Sequence, residues 1–306
     1  MQLSLFDLHC DTACEMLAQH QPLSENRLAV SLGQAECFSQ YIQVMAFWTD
    51  RRLDDEAGWQ RLLELRENLL ADPAVSEGRA RICRGCPERG SGVSLLFGLE
   101  DARVLNRKPE RVAALAEMGI RILTPLWSGE TCIGGSHDTR AGLTDFGKAA
   151  LREAMARGML ADISHASEQS ADDIFALAAD AGLPVIASHS DAYAVCPVSR
   201  NLHPGQIRAI LASGGVVGIN LYRRFLTGGD AAGMEDVRRH IEYFLEQGCE
   251  RALCLGCDMD GAELPAELPS LSALPRLAAY LCGYYPEELV QDIFFENAFR
   301  FAQAHL

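Results

Sequence analysis

A chain of 306 residues exceeds one ordinary mid-sized domain but suits one closed α/β barrel, and an apolar content of 48% allows a large core. Acidic residues outnumber basic ones 42 to 27, a net charge of −15, which argues against nucleic acid and against an anionic membrane surface as partners. Eleven cysteines, an odd number with several inside apolar runs, read as reduced thiols of a cytoplasmic protein rather than a disulfide framework.

The opening residues lack the basic region of a signal peptide, and no apolar run approaches the roughly 18 residues of a membrane span. Eight short apolar runs recur, at residues 3–8, 41–47, 93–99, 120–126, 159–164, 184–188, 215–221 and 252–256, and each reads as a buried strand. Candidate helices lie between most of them, at 54–71, 109–117, 145–156, 168–181, 204–212 and 234–247, with two more at 270–281 and 286–304. Thr144 and Ser167 stand where helix caps stand, and Gly158, Gly182 and Gly248 follow helices where a left-handed residue is wanted. Strands alternating with helices imply parallel pairing through right-handed crossovers. Eight such units predict a single (β/α)8 (TIM) barrel over residues 1–306, with loop insertions near 22–40 and 74–92. The rival is a doubly wound open sheet, but no Gly-rich nucleotide loop follows any strand.

Polar groups stand at the C-terminal ends of five runs: His9 and Asp11, Glu100, His165, His189, and Asp258. That end of a parallel barrel is where active sites are built. Such groups cost folding energy unless they converge on something, and a pair of divalent metals is the most economical focus. His9 and Asp11 are two apart, so strand alternation aims both into the mouth, although His-x-Asp alone is no more than a capping Asp beside an ordinary His. Glu100 has two oxygens with which to bridge two cations, or is merely the charge at a helix start. His165 and His189 end consecutive strands; in register and opposite a His/Asp pair, they point to metal more than to two structural histidines. Asp258 and Asp260 share one segment, so either serves the site or its loop.

The stretches Asp7-Leu8-His9-Cys10-Asp11-Thr12, Gly142-Leu143-Thr144-Asp145-Phe146-Gly147, Ala161-Asp162-Ile163-Ser164-His165, Pro184 to Ser190 with Ser199-Arg200-Asn201-Leu202, and Gly256-Cys257-Asp258-Met259-Asp260-Gly261 together resemble the membrane (renal) dipeptidase family of zinc peptidases, nearly end to end. The resemblance implies two zinc ions per chain, the first on His9 and Asp11, the second on His165 and His189, with Glu100 bridging. It implies a metal-bridging hydroxide as nucleophile, Asp258 as the group that carries its proton to the leaving amine, and Arg200 as the anchor of a dipeptide's free carboxylate. It also implies a homodimer.

Two positions depart from the family's pattern. A fourth-strand His that helps polarise the substrate carbonyl is replaced by Trp127, which becomes a substrate-facing residue, and a Tyr near the substrate carboxylate is replaced by Phe225. His137 lies nearby in a Gly-Gly-Ser-His loop and is read as a loop residue; His20, His203, His240 and His305 read as surface or helix residues. Cys83-Arg84-Gly85-Cys86 has no second pair to complete a zinc site. The alternatives are another metal hydrolase of the amidohydrolase type, such as a lactonase or phosphotriesterase, the polymerase-and-histidinol-phosphatase family, or a non-catalytic barrel. The first commonly needs a bridging Lys on the fourth strand, which is absent; the second opens with Asp-x-His-x-His, whose final His is Asp11 here; the third should have lost ligands, and all are present.

Overall fold

The computed structural model describes residues 3–90 and 92–306. Its strands are β1 (Leu5–Cys10), β2 (Gln40–Phe47), β3 (Ala80–Ile82), β4 (Gly92–Glu100), β5 (Ile120–Thr124), β6 (Leu160–Asp162), β7 (Val185–Ile186), β8 (Val217–Ile219) and β9 (Leu253–Leu255). All but β3 correspond to the eight apolar runs. They pair in the parallel order β7-β6-β5-β4-β2-β1-β9-β8, and a parallel bridge from Ala187 to Val217 joins β7 to β8 and shuts the ring. This is the (β/α)8 barrel that the alternation predicts. Within the 74–92 insertion, β3 covers the start of β4's edge at residues 93–95, below the stretch 97–100 that pairs with β5.

Local signals set several helices. Asp145–Ala156 and Glu168–Ala181 keep their expected bounds, with Thr144 Oγ1 accepting from Gly147 N–H and Ser167 Oγ from Ser170 N–H. The helices Thr12–Gln19 and Arg223–Thr227 go beyond the sequence reading; each follows a strand within a few residues and packs only a short apolar face. The single helix expected at 286–304 is instead Glu287–Gln291, a π-helical turn Asp292–Glu296, and Asn297–His305. The wider turn swings Phe295 and Phe299 against the inward side chains Phe6, Ile42, Leu96 and Ile186, and so plugs the floor of the barrel.

At β1 the alternation breaks. Phe6 and Leu8 join the interior cluster with Ile42 and Val44, whereas Leu5 and Cys10 join the outer cluster with Tyr41 and Met45. Strict period two from Leu8 would send His9 outward. Instead Asp7 faces Gln43 and Cys10 faces Met45, three steps on β1 against two on β2. This bulge turns both Leu8 and His9 inward, the first to the floor and the second to the mouth. On the opposite side, Gly218 and Gly256 each leave room for the Ser188 carbonyl oxygen, which would lie 2.0 and 1.8 Å from a Cβ at those positions. The chain leaving β7 therefore presses into the barrel, carrying His189 with it.

Candidate metal centre

Glu100 is the hub of the mouth. Its Oε2 lies 3.8 Å from His9 Nε2, which in turn lies 3.4 Å from Asp11 Oδ2 and 4.0 Å from Asp258 Oδ1. Its Oε1 lies 3.0 Å from His165 Nε2 and 3.3 Å from His189 Nε2, and those two nitrogens are 3.1 Å apart. The His9 and His189 rings stack at 3.7 Å. All six side chains are buried, and two triads have ligand atoms close enough to share an ion: His9, Glu100, His189 and His9, Asp11, Asp258. His165 and Asp258 hold φ of +67° and +58°, left-handed values costly for residues with a Cβ. The strain re-aims each side chain just past its strand end, where alternation alone would not bring it to the cluster.

The hydrogen bonds decide the tautomers of two imidazoles. His165 Nδ1 faces the Trp127 carbonyl oxygen at 2.9 Å, an acceptor only, so Nδ1 carries the proton and Nε2 is a bare lone pair. His189 Nδ1 lies 2.7 Å from Ser188 Oγ, whose own proton goes to Asp162 Oδ2, so here too Nδ1 is the donor and Nε2 is bare. Two lone pairs thus face each other and a Glu100 oxygen with no imidazole proton among them. Acceptors in such contact repel unless a proton or a metal cation lies between them. Two nitrogens each roughly 2.0–2.1 Å from a tetrahedral zinc would be about 3.3 Å apart, near the spacing found. His9 Nε2 and Glu100 Oε1 are buried without a hydrogen-bond partner. The donor set fits divalent metal.

The electrostatics agree. Burial works against a charged His9, but Glu100, Asp11 and Asp258 overcome it and push the imidazole up to about 10. Burial, then the Arg200 guanidinium and neighbouring imidazoles, hold His165 well below the usual histidine range. Burial, then His9 and Arg200, do the same for His189. Burial drives the Glu100 carboxyl well up, with Asp11 and Asp258 adding to it against the pull of His9. Crowded carboxylates recruit positive charge to the His9 side, and the other side is kept as neutral ligand nitrogen.

Around the cluster opens a cavity of about 630 Å3, walled by Trp48, Trp127, Tyr222 and Phe225. Trp127 faces this cavity, its ring 6.5 Å from that of His165 and edge-on to Trp48 at 5.0 Å. Asp258 Oδ2 accepts from Asn220 Nδ2 at 2.9 Å, which turns Oδ1 toward His9. Arg200 is buried behind His189, donating to Ser190 Oγ (2.7 Å) and to the His189 carbonyl (2.8 Å); it lines a second, adjoining cavity of about 740 Å3 rather than the first. Asp260 accepts from Thr12 Oγ1 and the Ala29 amide, tying its loop to the start of the first helix.

Three residues of the site are not singled out by the sequence, and a fourth, His137, reads there only as a loop residue. Asp162, Ser188 and Asn220 are inward-facing residues of strands or strand ends, and a polar residue in an apolar run was their available signal. His137 lines both cavities, with Nδ1 2.9 Å from Ser199 Oγ and its amide donating to the His165 carbonyl at 2.8 Å. His240 lies on a helix, as expected, yet is fully buried rather than at the surface.

Among the described residues no helix is long and apolar enough to cross a membrane. The model of the membrane dipeptidase family, peptidase family M19, matches residues 1–305. An uncharacterized protein in the pqqA 5′ region of Klebsiella pneumoniae is 33% identical over 254 residues, 76% of this chain and 90% of that protein. The crystal structure of dipeptidase AC, a family M19 metallopeptidase, is 25% identical and superposes with a TM-score of 0.91 over 100% of this chain and 99% of that one. A metallopeptidase from Rhodobacter sphaeroides, solved with a phosphinate mimic of the dipeptide L-Ala-D-Ala, shares the fold with a TM-score of 0.90 at 24% identity, covering 100% of both chains. A match that runs from the first strand to the floor helix, over a cluster built to hold metal, makes this chain a metallo-dipeptidase of the membrane dipeptidase family.

Proposed function

We propose that the chain hydrolyses free dipeptides with two zinc ions, one held by His9 and Asp11, the other by His165 and His189, with Glu100 shared. The supporting observation is the division of Glu100, one oxygen turned to His9 and the other to the two bare imidazole nitrogens. Metals at these positions would supply Lewis acidity and acidify a water enough to furnish hydroxide near neutral pH. Asp258, steadied by Asn220, accepts the proton of the attacking water and delivers it to the departing amine. Arg200 attracts the carboxylate of the C-terminal residue and so favours substrates that end one residue past the scissile bond. Trp127 and Trp48 form an apolar wall that narrows the cavity over the cluster. Eleven cysteines without a disulfide suit a reducing compartment, which supports a cytoplasmic location.

Metal analysis together with a screen of L,L- and L,D-dipeptides and their C-terminal amides tests the reading. Two zinc ions per active chain and a strong preference for the free acid are expected. Full activity with one metal, or equal rates on acid and amide, would contradict it.

A further inference from the structure

The geometry points to His137 as a second donor to the substrate's C-terminal carboxylate, working beside Arg200; this rests on the dipeptidase reading above. Among the described residues His137 alone lines both cavities, the one over the metal ligands and the one walled by Arg200. A substrate with its scissile bond at the ligands and its carboxylate toward Arg200 must therefore pass this imidazole.

Arg200 is not a free fork. One Nη donates to Ser190 Oγ and the other to the His189 carbonyl, its Nε is buried without a partner, and Phe225 covers its face at 5.4 Å. Two of its five N–H bonds are thus held by the protein and one face is covered, which leaves a carboxylate's second oxygen open to another donor. His137 is positioned to supply it. Its Nδ1 faces the hydroxyl of Ser199, the residue next to Arg200, and with that hydroxyl donating, Nε2–H is the ring's remaining donor.

The loop that carries His137 is fastened on several sides. Asp138 accepts from the Gly129 amide at 2.7 Å and from Ser128 Oγ at 3.0 Å. Ser136 bridges to Ala166, and the His137 amide reaches the His165 carbonyl. Gly135 packs so closely that a Cβ would lie 2.3 Å from Thr139 Oγ1. This is a prebuilt perch, of the kind that positions a ligand group before it arrives.

The test compares wild type, His137→Phe, His137→Gln and Ser199→Ala, all zinc-loaded and matched for metal content. Substrates are the L,L-dipeptide that wild type cleaves fastest and its C-terminal amide. Losing one hydrogen bond to a charged group should raise KM for the free acid roughly 10- to 100-fold in His137→Phe, with kcat moving far less. The same factor should appear in the Kd of the C-terminal amino acid product, measured by calorimetry, and the acid-over-amide preference should shrink with it. Gln, which keeps a donor, should recover part of the loss, and Ser199→Ala should show a smaller loss of the same kind. If the deficit falls on kcat while KM and product Kd stay put, His137 serves the reacting carbonyl or only the fold, and the inference is overturned. Loss of zinc from the variants overturns it too. Wild type inactive on every dipeptide would instead defeat the dipeptidase reading on which the inference stands.

Discussion

Asp162 reaches His189 through a single hydroxyl: the carboxylate accepts the Ser188 Oγ proton, and that oxygen takes the Nδ1 proton of His189 at 2.7 Å. Asp162 also accepts the Ser188 and Ser164 amides and the Thr124 hydroxyl, so β5, β6 and the chain after β7 are tied at one buried carboxylate. The relay fixes both the tautomer and the tilt of the His189 imidazole from one layer below. Ser188→Ala should weaken binding of one of two metals about 10- to 100-fold and leave the other alone. Chelator competition followed by metal analysis would read this; a single unchanged affinity for both metals would show that the relay only packs.

Gly261 lies where a Cβ would be 2.0 Å from Asp11 Oδ2 and 2.6 Å from Asp258 Oδ1. Its backbone is not left-handed, so alanine is excluded by crowding alone. Gly261→Ala should displace the Asp11 carboxylate, weaken metal on the His9 side and lower turnover, while the melting temperature of the metal-free protein changes little. Normal metal content with normal turnover would mean that the loop yields and Asp11 stays.

Asp258→Asn keeps an oxygen for Asn220 to donate to but removes the proton acceptor. Both metals should remain, and turnover should fall on the order of 10²–10⁴. Loss of metal in place of turnover would make Asp258 chiefly a ligand.

His240 offers a test of stability against pH at a distance from the cluster. Its Nδ1 accepts the Ala192 amide at 3.1 Å and its Nε2–H donates to the Leu226 carbonyl at 3.0 Å. A second proton would turn Nδ1 from acceptor to donor against that amide. Burial first, with Arg239 adding, pushes the group down to about 4 from 6.5. A folded-state value below the unfolded one means that the unfolded chain takes up the proton first. The stabilisation is complete above about pH 6.5 and fades as pH falls toward 4, a contribution on the order of 3 kcal/mol. Denaturant melts of metal-free wild type and His240→Gln between pH 7 and 4.5 should diverge least at the acid end; a constant gap would rule out this titration.

Much of this architecture was legible in the residues. Thr144 and Ser167 announce their helices because a cap is a local hydrogen bond, and His165 and His189 stand out because a strand end is a local punctuation. The inward turn of His9 is only half written in the spacing. Period two relates His9 to Asp11, but the phase of the pair is set by the bulge against β2, a cross-strand property. The burial of Arg200 behind His189 is not written in its segment, because the path of residues 190–200 depends on the Ser190 hydroxyl and the His189 carbonyl that accept its guanidinium. His137 reads as a loop residue in the sequence; its loop returns to the site through contacts with His165, Ala166 and Ser199, which no spacing records. The π-helical turn under the floor likewise answers to the barrel above it rather than to its own sequence.

Chain order gives the two halves of the cluster different histories. His165 and His189 come from neighbouring strands, 24 residues apart, and meet once β6 and β7 pair. His9 and Asp258 meet only across the seam between β1 and β9, where Asp7 accepts the amide of Cys257 from 250 residues away. One half needs a single strand–helix–strand unit, the other needs the first and last strands of the chain brought side by side. A breath at that seam would part His9 from Asp258 while the imidazole pair stayed whole, so the meeting of the barrel's first and last strands acts as the clasp of one half of the cluster and not of the other.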